Sequence, residues 1–189
     1  MALEMIVNSN YKKVLIEQPQ NVNAYLSLAG AYRATEQHDL ALQTLMQLKD
    51  IAADQPKVYF RLADTYLAMK NNVKAVEMAN QAMELDNTLY ESYMILAQVY
   101  FNYGYTKYEK FLWYEEEYLD KSKYYGEAAD KLVEDRDNVK QEAYDYFGKE
   151  ESYLNKAQER TDDPSILKEI KGKREILKQL KKATKSGGF

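Results

Sequence analysis

The sequence predicts an all-α protein whose N-terminal half is a stack of helix hairpins, and three observations carry that expectation. Chain breakers are scarce: the 189 residues include 7 glycines and 3 prolines, about half of the roughly 12% that average usage would supply. Alanine, leucine, glutamate, lysine and glutamine fill the long intervals between them, the residues from which helices are built. Apolar positions also recur with a fixed period of 34 residues, the mark of a repeated two-helix unit.

Four columns show the period three times over: Tyr25, Tyr59 and Tyr93; Leu28, Leu62 and Leu96; Ala29, Ala63 and Ala97; Tyr32, Tyr66 and Tyr100. Within each unit they stand at offsets 0, 3, 4 and 7, which places them on one stripe of a helix. A second helix follows in the first two units, where Ala41, Leu45 and Leu48 align with Ala75, Ala79 and Ala82. Small Ala29 and Ala41, like Ala63 and Ala75, let two backbones approach while the larger side chains fill the grooves beside them. Asn71-Asn72 marks a turn inside the second unit, and Pro56 and Asp86-Asn87 mark turns between units. A single unit buries too little apolar surface to fold alone, so neighbours must share a core.

The pattern resembles the tetratricopeptide repeat (TPR) family over about residues 1–103. The matching residues are the Tyr25, Leu28, Ala29 and Tyr32 set, its two 34-residue successors, and the second-helix residues just named. Two departures occur: Ala29, Ala63 and Ala97 stand where the family usually has Gly, and Asn87 where it usually has Pro. The resemblance implies a right-handed α-solenoid of TPR helix hairpins, followed here by a long-helix C-terminal extension.

Counted backwards in the family's register, Val7, Tyr11, Val14 and Pro19 fall on second-helix positions. Residues 1–21 therefore read as a half-repeat or capping helix, either a natural cap or the remnant of a longer array. Residues 22–103 hold the repeats, at 22–55, 56–89 and the first helix of a third at 90–103. Counted forwards the register fails, because Glu109 and Glu116 occupy positions that need small packing residues. Thirteen of the 18 tyrosines lie between Tyr90 and Tyr153, and the segment 104–163 reads as an acidic, Tyr-rich extension in which 105–134 and 138–160 form one or two long antiparallel helices. Asp163-Pro164-Ser165 starts a last amphipathic helix and Gly187-Gly188 lies past its end. Its apolar stripe is Ile166, Ile170, Leu177 and Leu180.

Charge is uneven. Residues 1–103 carry 8 basic and 11 acidic side chains, residues 104–163 carry 10 and 17, and residues 164–189 carry 8 and 2. The basic helix holds Lys171, Lys173, Arg174, Lys178, Lys181, Lys182 and Lys185. It is expected to cap the stack with its apolar stripe while the lysines stay wet, to reach an anionic lipid or nucleic-acid partner, or to be disordered. The acidic chain as a whole disfavours nucleic acid, and leaves a membrane no more than a peripheral role.

Composition removes several chemistries. There is no cysteine, so thiolate metal sites and disulfides are out. His38 is the single histidine, beside Asp39 at a helix start, and reads as a solvated turn residue. Glu115, Glu116 and Glu117 point about 100° apart on a helix and do not converge on a metal or an acid–base pair. No glycine spacing matches a phosphate-cradling loop, and the longest apolar run falls far short of the ~18 residues of a membrane span. The expectation is a non-enzyme without cofactor or metal. No leader is visible at Met1-Ala2-Leu3-Glu4-Met5, which favours a cytoplasmic location, with a periplasmic one open to a chain whose leader has been removed.

The resemblance implies a concave face lined by first helices. Its positions here are Leu26, Gly30, Arg33, Phe60, Arg61, Asp64, Leu67, Met94, Gln98 and Phe101. Exposed Phe60, Met94 and Phe101 would form a docking surface, unless the later helices cover them. The TPR subclass that grips C-terminal carboxylates needs Lys, Asn and Arg where this chain has Leu26, Gly30, Arg61, Glu91 and Ile95, so that mode is unsupported. The expected function is a scaffold or adaptor holding an amphipathic helix or extended hydrophobic segment of a partner protein. The alternatives are a carrier enclosing a small hydrophobic ligand, and docking of the basic helix on anionic lipid or nucleic acid. Self-association through the open ends of the solenoid is a further expectation.

Overall fold

The computed structural model describes residues 2–119 and 126–186. Among the described residues lie eight helices and no strand: α1 (Ala2–Glu17), α2 (Val22–Ala34), α3 (His38–Ile51), α4 (Pro56–Ala68), α5 (Asn72–Leu85), α6 (Tyr90–Leu119), α7 (Glu127–Gln158) and α8 (Pro164–Ser186). The chain divides into two compact units, Met1–Ile95 and Leu96–Phe189.

In the first unit each of α1 to α4 packs on its successor, and α2 also touches α4, as an α-solenoid of hairpins requires. The repeated columns are its core. Leu62, Ala63, Ala75, Ala79 and Ala82 are fully buried, as are Ala41 and Leu48, with Leu28, Ala29 and Tyr32 nearly so. Tyr11 and Leu15 of α1 pack against Leu28, Tyr32 and Ala41, so α1 covers the start of the stack.

The turns repeat with the same period as the core. Glu36 and Lys70, 34 residues apart, both adopt φ 59. In each case the next residue closes the helix end: Gln37 N–H donates to the Tyr32 carbonyl at 2.9 Å, and Asn71 N–H to the Tyr66 carbonyl at 2.9 Å. That six-to-one bond around a left-handed residue is a Schellman stop. Between units, the Tyr59 hydroxyl donates to the Ala53 carbonyl at 3.0 Å and the Tyr93 hydroxyl to the Asn87 carbonyl at 3.1 Å. Helix starts follow from capping chemistry: Asn21 accepts from Ala24 N–H, Asn71 accepts from Lys74 N–H, and Pro56 opens α4.

α6 does not stop at residue 103. It runs unbroken through Gly104 to Leu119, and the expected break appears instead at Gly126, which takes φ 56 and caps α7. The expected interruption between 134 and 138 is helical, inside α7. Gly104 is tolerated mid-helix because its missing side chain is filled from outside, by the Phe147 ring. Residues 120–125 of the expected 105–134 helix, and the stop at Gly187-Gly188, lie outside the described residues.

The second unit is held by aromatic rings. Tyr100 stacks on Tyr153 with centroids 5.4 Å apart and planes within 4°, and Tyr103 meets Tyr146 at 5.5 Å. Trp113, the chain's single tryptophan, is half exposed and meets the Tyr114 ring edge-on at 4.9 Å. α8 packs on α7 by burying Ile170 and Leu177, two members of its expected apolar stripe. Lys181 donates to Glu151 at 2.6 Å, and Arg174 donates to Asn155, so the two helices run antiparallel.

Candidate functional site

The first helix of every repeat begins one turn above a shared hollow. Val22, Pro56 and Tyr90 start α2, α4 and α6 at the 34-residue interval, so their second residues, Asn23, Lys57 and Glu91, are equivalent. One turn on, Leu26 and Phe60 are equivalent, as are Ser27 and Arg61. These residues, with Gly30, line a cleft of about 430 Å³ in the first unit.

The lining is mixed. Leu26 and Phe60 give it an apolar floor, and the Arg61 guanidinium lies over the Phe60 ring, 5.1 Å from its centroid. Lys57 stands in the first turn of α4, the positive end of the helix dipole, where a cation is disfavoured. Glu91 in the first turn of α6 suits its position. Gly30 leaves open space, because a Cβ built on it meets nothing within 4 Å.

Of the ten residues expected on the concave face, Leu26, Gly30, Phe60 and Arg61 line this cleft. Arg33 and Asp64 are joined in an ion pair of 2.8 Å between α2 and α4. Half-exposed as it is, that pair contributes at most about 1 kcal/mol. Leu67 and Met94 are half-buried. Gln98 and Phe101 belong to the second unit, where Gln98 accepts from Lys173 at 2.7 Å and the Phe101 ring packs against Tyr105 and Phe147. Asn23, Ser27, Lys57 and Glu91 were not among the expected ten. The signal that finds them is the same 34-residue period, read one turn earlier on each helix.

A second hollow, about 470 Å³, lies among α1, α2 and α3 and is lined by Leu15, Ile16, Tyr25 and Leu40 among others. It shares no residue with the first cleft or the expected concave face. In the second unit, Glu150 on α7 is 2% exposed and its Oε2 has no hydrogen-bond partner among the described residues. Burial pushes its pKa up to about 7, with Lys173 and Lys181 pulling it down and Glu151 adding to the rise. Among the described residues no group of three His, Asp or Glu is placed to hold a metal ion, and no helix is long and apolar enough to cross a membrane.

Stacked hairpins with an open cleft across their first helices define a helical-repeat protein. The chain belongs to the ChAPs family, the Chs5p-Arf1p-binding proteins, whose family model matches residues 7–114. No curated protein matches it. Among solved structures, a protein from Bacteroides ovatus ATCC 8483, provisionally described as protein-binding, is 15% identical with a TM-score of 0.60, over 92% of this chain and 89% of that one. MamA is 18% identical with a TM-score of 0.48, over 81% of this chain and 85% of its own.

Proposed function

We propose that the chain is a TPR-type, non-enzymatic adaptor that holds a segment of a partner protein in the cleft of α2, α4 and the start of α6. The cleft carries this reading: an apolar floor of Leu26 and Phe60, rimmed by Lys57, Arg61 and Glu91, suits an amphipathic helix or an extended hydrophobic segment with polar flanks. The family is described by proteins that its members bind, which supports a protein partner here. Lys57 adds to this, since its helix-end position disfavours it for stability.

Gly30 provides the test, because it lines the cleft and a Cβ built on it meets nothing within 4 Å. Peptides selected from a displayed library on the wild-type protein should bind Gly30→Trp and Phe60→Ala at least tenfold more weakly, with melting temperatures held for Gly30→Trp. Selected peptides that bind Gly30→Trp as well as wild type would remove the cleft as the docking site.

A further inference from the structure

We propose that the α7–α8 hairpin is a self-recognition surface, on which a second copy of this chain docks by laying its acidic α7 ridge along the basic α8 ridge. The basic ridge consists of Lys168, Lys171, Lys178, Lys182 and Lys185, all exposed, at successive steps of 3, 7, 4 and 3 residues. Those steps keep one side of a helix, about 110° round from the buried Ile170 and Leu177. At 1.5 Å per residue the ridge is about 26 Å long. One glutamate, Glu175, interrupts it.

The neighbouring helix carries the complement. Asp130, Glu134, Asp137 and Asp145 are exposed on α7, opposite its buried Val139, Ala143 and Phe147. This acidic ridge is about 23 Å long. Asp137 already accepts from the neighbouring Arg136, and Asp145 accepts from Gln141, so the ridge is held in place by its own helix.

Two antiparallel helices bearing ridges of opposite sign and similar length form a self-complementary patch. A two-fold rotation sets each basic ridge on the other copy's acidic one and doubles every contact. A bilayer is the rival polyanion, but among the described residues no exposed apolar anchor lies on the lysine ridge. Ile176, the large exposed apolar residue of α8, sits about 120° round the helix from the ridge. Lys185 lies over the Tyr144 ring and Lys181 pairs with Glu151, so the two ridges follow one another along the hairpin. Together, at about 10 Å of helix width, they offer on the order of 500 Å² per copy, the small end of specific interfaces. The dimer is therefore a weak one that salt dissolves.

Sedimentation velocity of the full chain tests this. At low ionic strength the wild type should show concentration-dependent dimers that disappear when salt is raised about tenfold. Lys171→Glu/Lys178→Glu and Asp130→Lys/Glu134→Lys should each be monomeric alone, and should pair with one another when mixed in equal amounts. All four substituted residues are exposed, and circular dichroism checks that each variant is folded. A wild type that stays monomeric at low salt overturns the proposal, as does a mixture of the two variants that fails to pair. Binding to phosphatidylserine vesicles by a chain that remains monomeric would assign the lysines to a membrane instead.

Discussion

Gly104 on α6 lies directly under the Phe147 ring of α7: a Cβ built on Gly104 would sit 2.7 Å from both Cδ1 and Cε1 of that ring. Phe147 is fully buried, so the ring has nowhere to retreat. Gly104→Ala should therefore destabilise the protein by roughly 1–3 kcal/mol, even though alanine favours helices. Denaturant unfolding measures it, and in a Phe147→Leu background the penalty should shrink. A neutral or stabilising Gly104→Ala would show that the close approach does not exist.

The paired hydroxyls of Tyr59 and Tyr93 make a second expectation. Each tyrosine is buried and each donates to the carbonyl six residues upstream. Tyr59→Phe and Tyr93→Phe should each cost about 0.5–1.5 kcal/mol. Thermal unfolding of the two single variants should give similar losses, because the bonds are equivalents one repeat apart.

Glu36 and Lys70 are exposed and hold a left-handed backbone that glycine adopts without steric penalty. Glu36→Gly and Lys70→Gly should each raise stability, by roughly 0.5–1 kcal/mol after the entropy that glycine loses. Calorimetry showing a loss at both positions would contradict the Schellman geometry.

Glu150 makes stability depend on pH. Its folded pKa of about 7 lies above the ordinary 4.5, so between those values the folded chain keeps a proton that the unfolded chain releases. Stability then falls as pH rises through that window and levels off above it, by on the order of 1–3 kcal/mol between pH 5 and 8. Glu150→Gln should flatten that slope. Urea titrations of both proteins across the range check it, and equal slopes would dismiss Glu150 as the source.

Much of the first unit was legible in the sequence because one period governs both its core and its turns. Leu28 and Leu62 announce a buried stripe by recurrence alone, and Asn71 and Pro56 announce helix starts by capping chemistry. Beyond Tyr100 the second unit offered no such recurrence. The repeat was expected to end at residue 103 because the register fails at Glu109 and Glu116, and Gly104, a residue that usually costs a helix stability, continues the helix. That glycine makes room for a residue 43 positions away, a tertiary fact that no local pattern encodes. The cleft was legible in part for a related reason. Apolar residues drew attention to Leu26 and Phe60, whereas Asn23, Lys57 and Glu91 differ in charge at one repeated position. A column that conserves geometry while changing chemistry is invisible to a search for likeness.

The lone indole at position 113 gives the second unit a private optical signal. Excitation at the red edge, where tyrosine does not absorb, isolates emission from α6 beyond the hairpins, while far-ultraviolet dichroism weighs every helix. Melting curves recorded by the two methods will coincide if both halves of the chain unfold as one cooperative body, and will separate if each has its own transition.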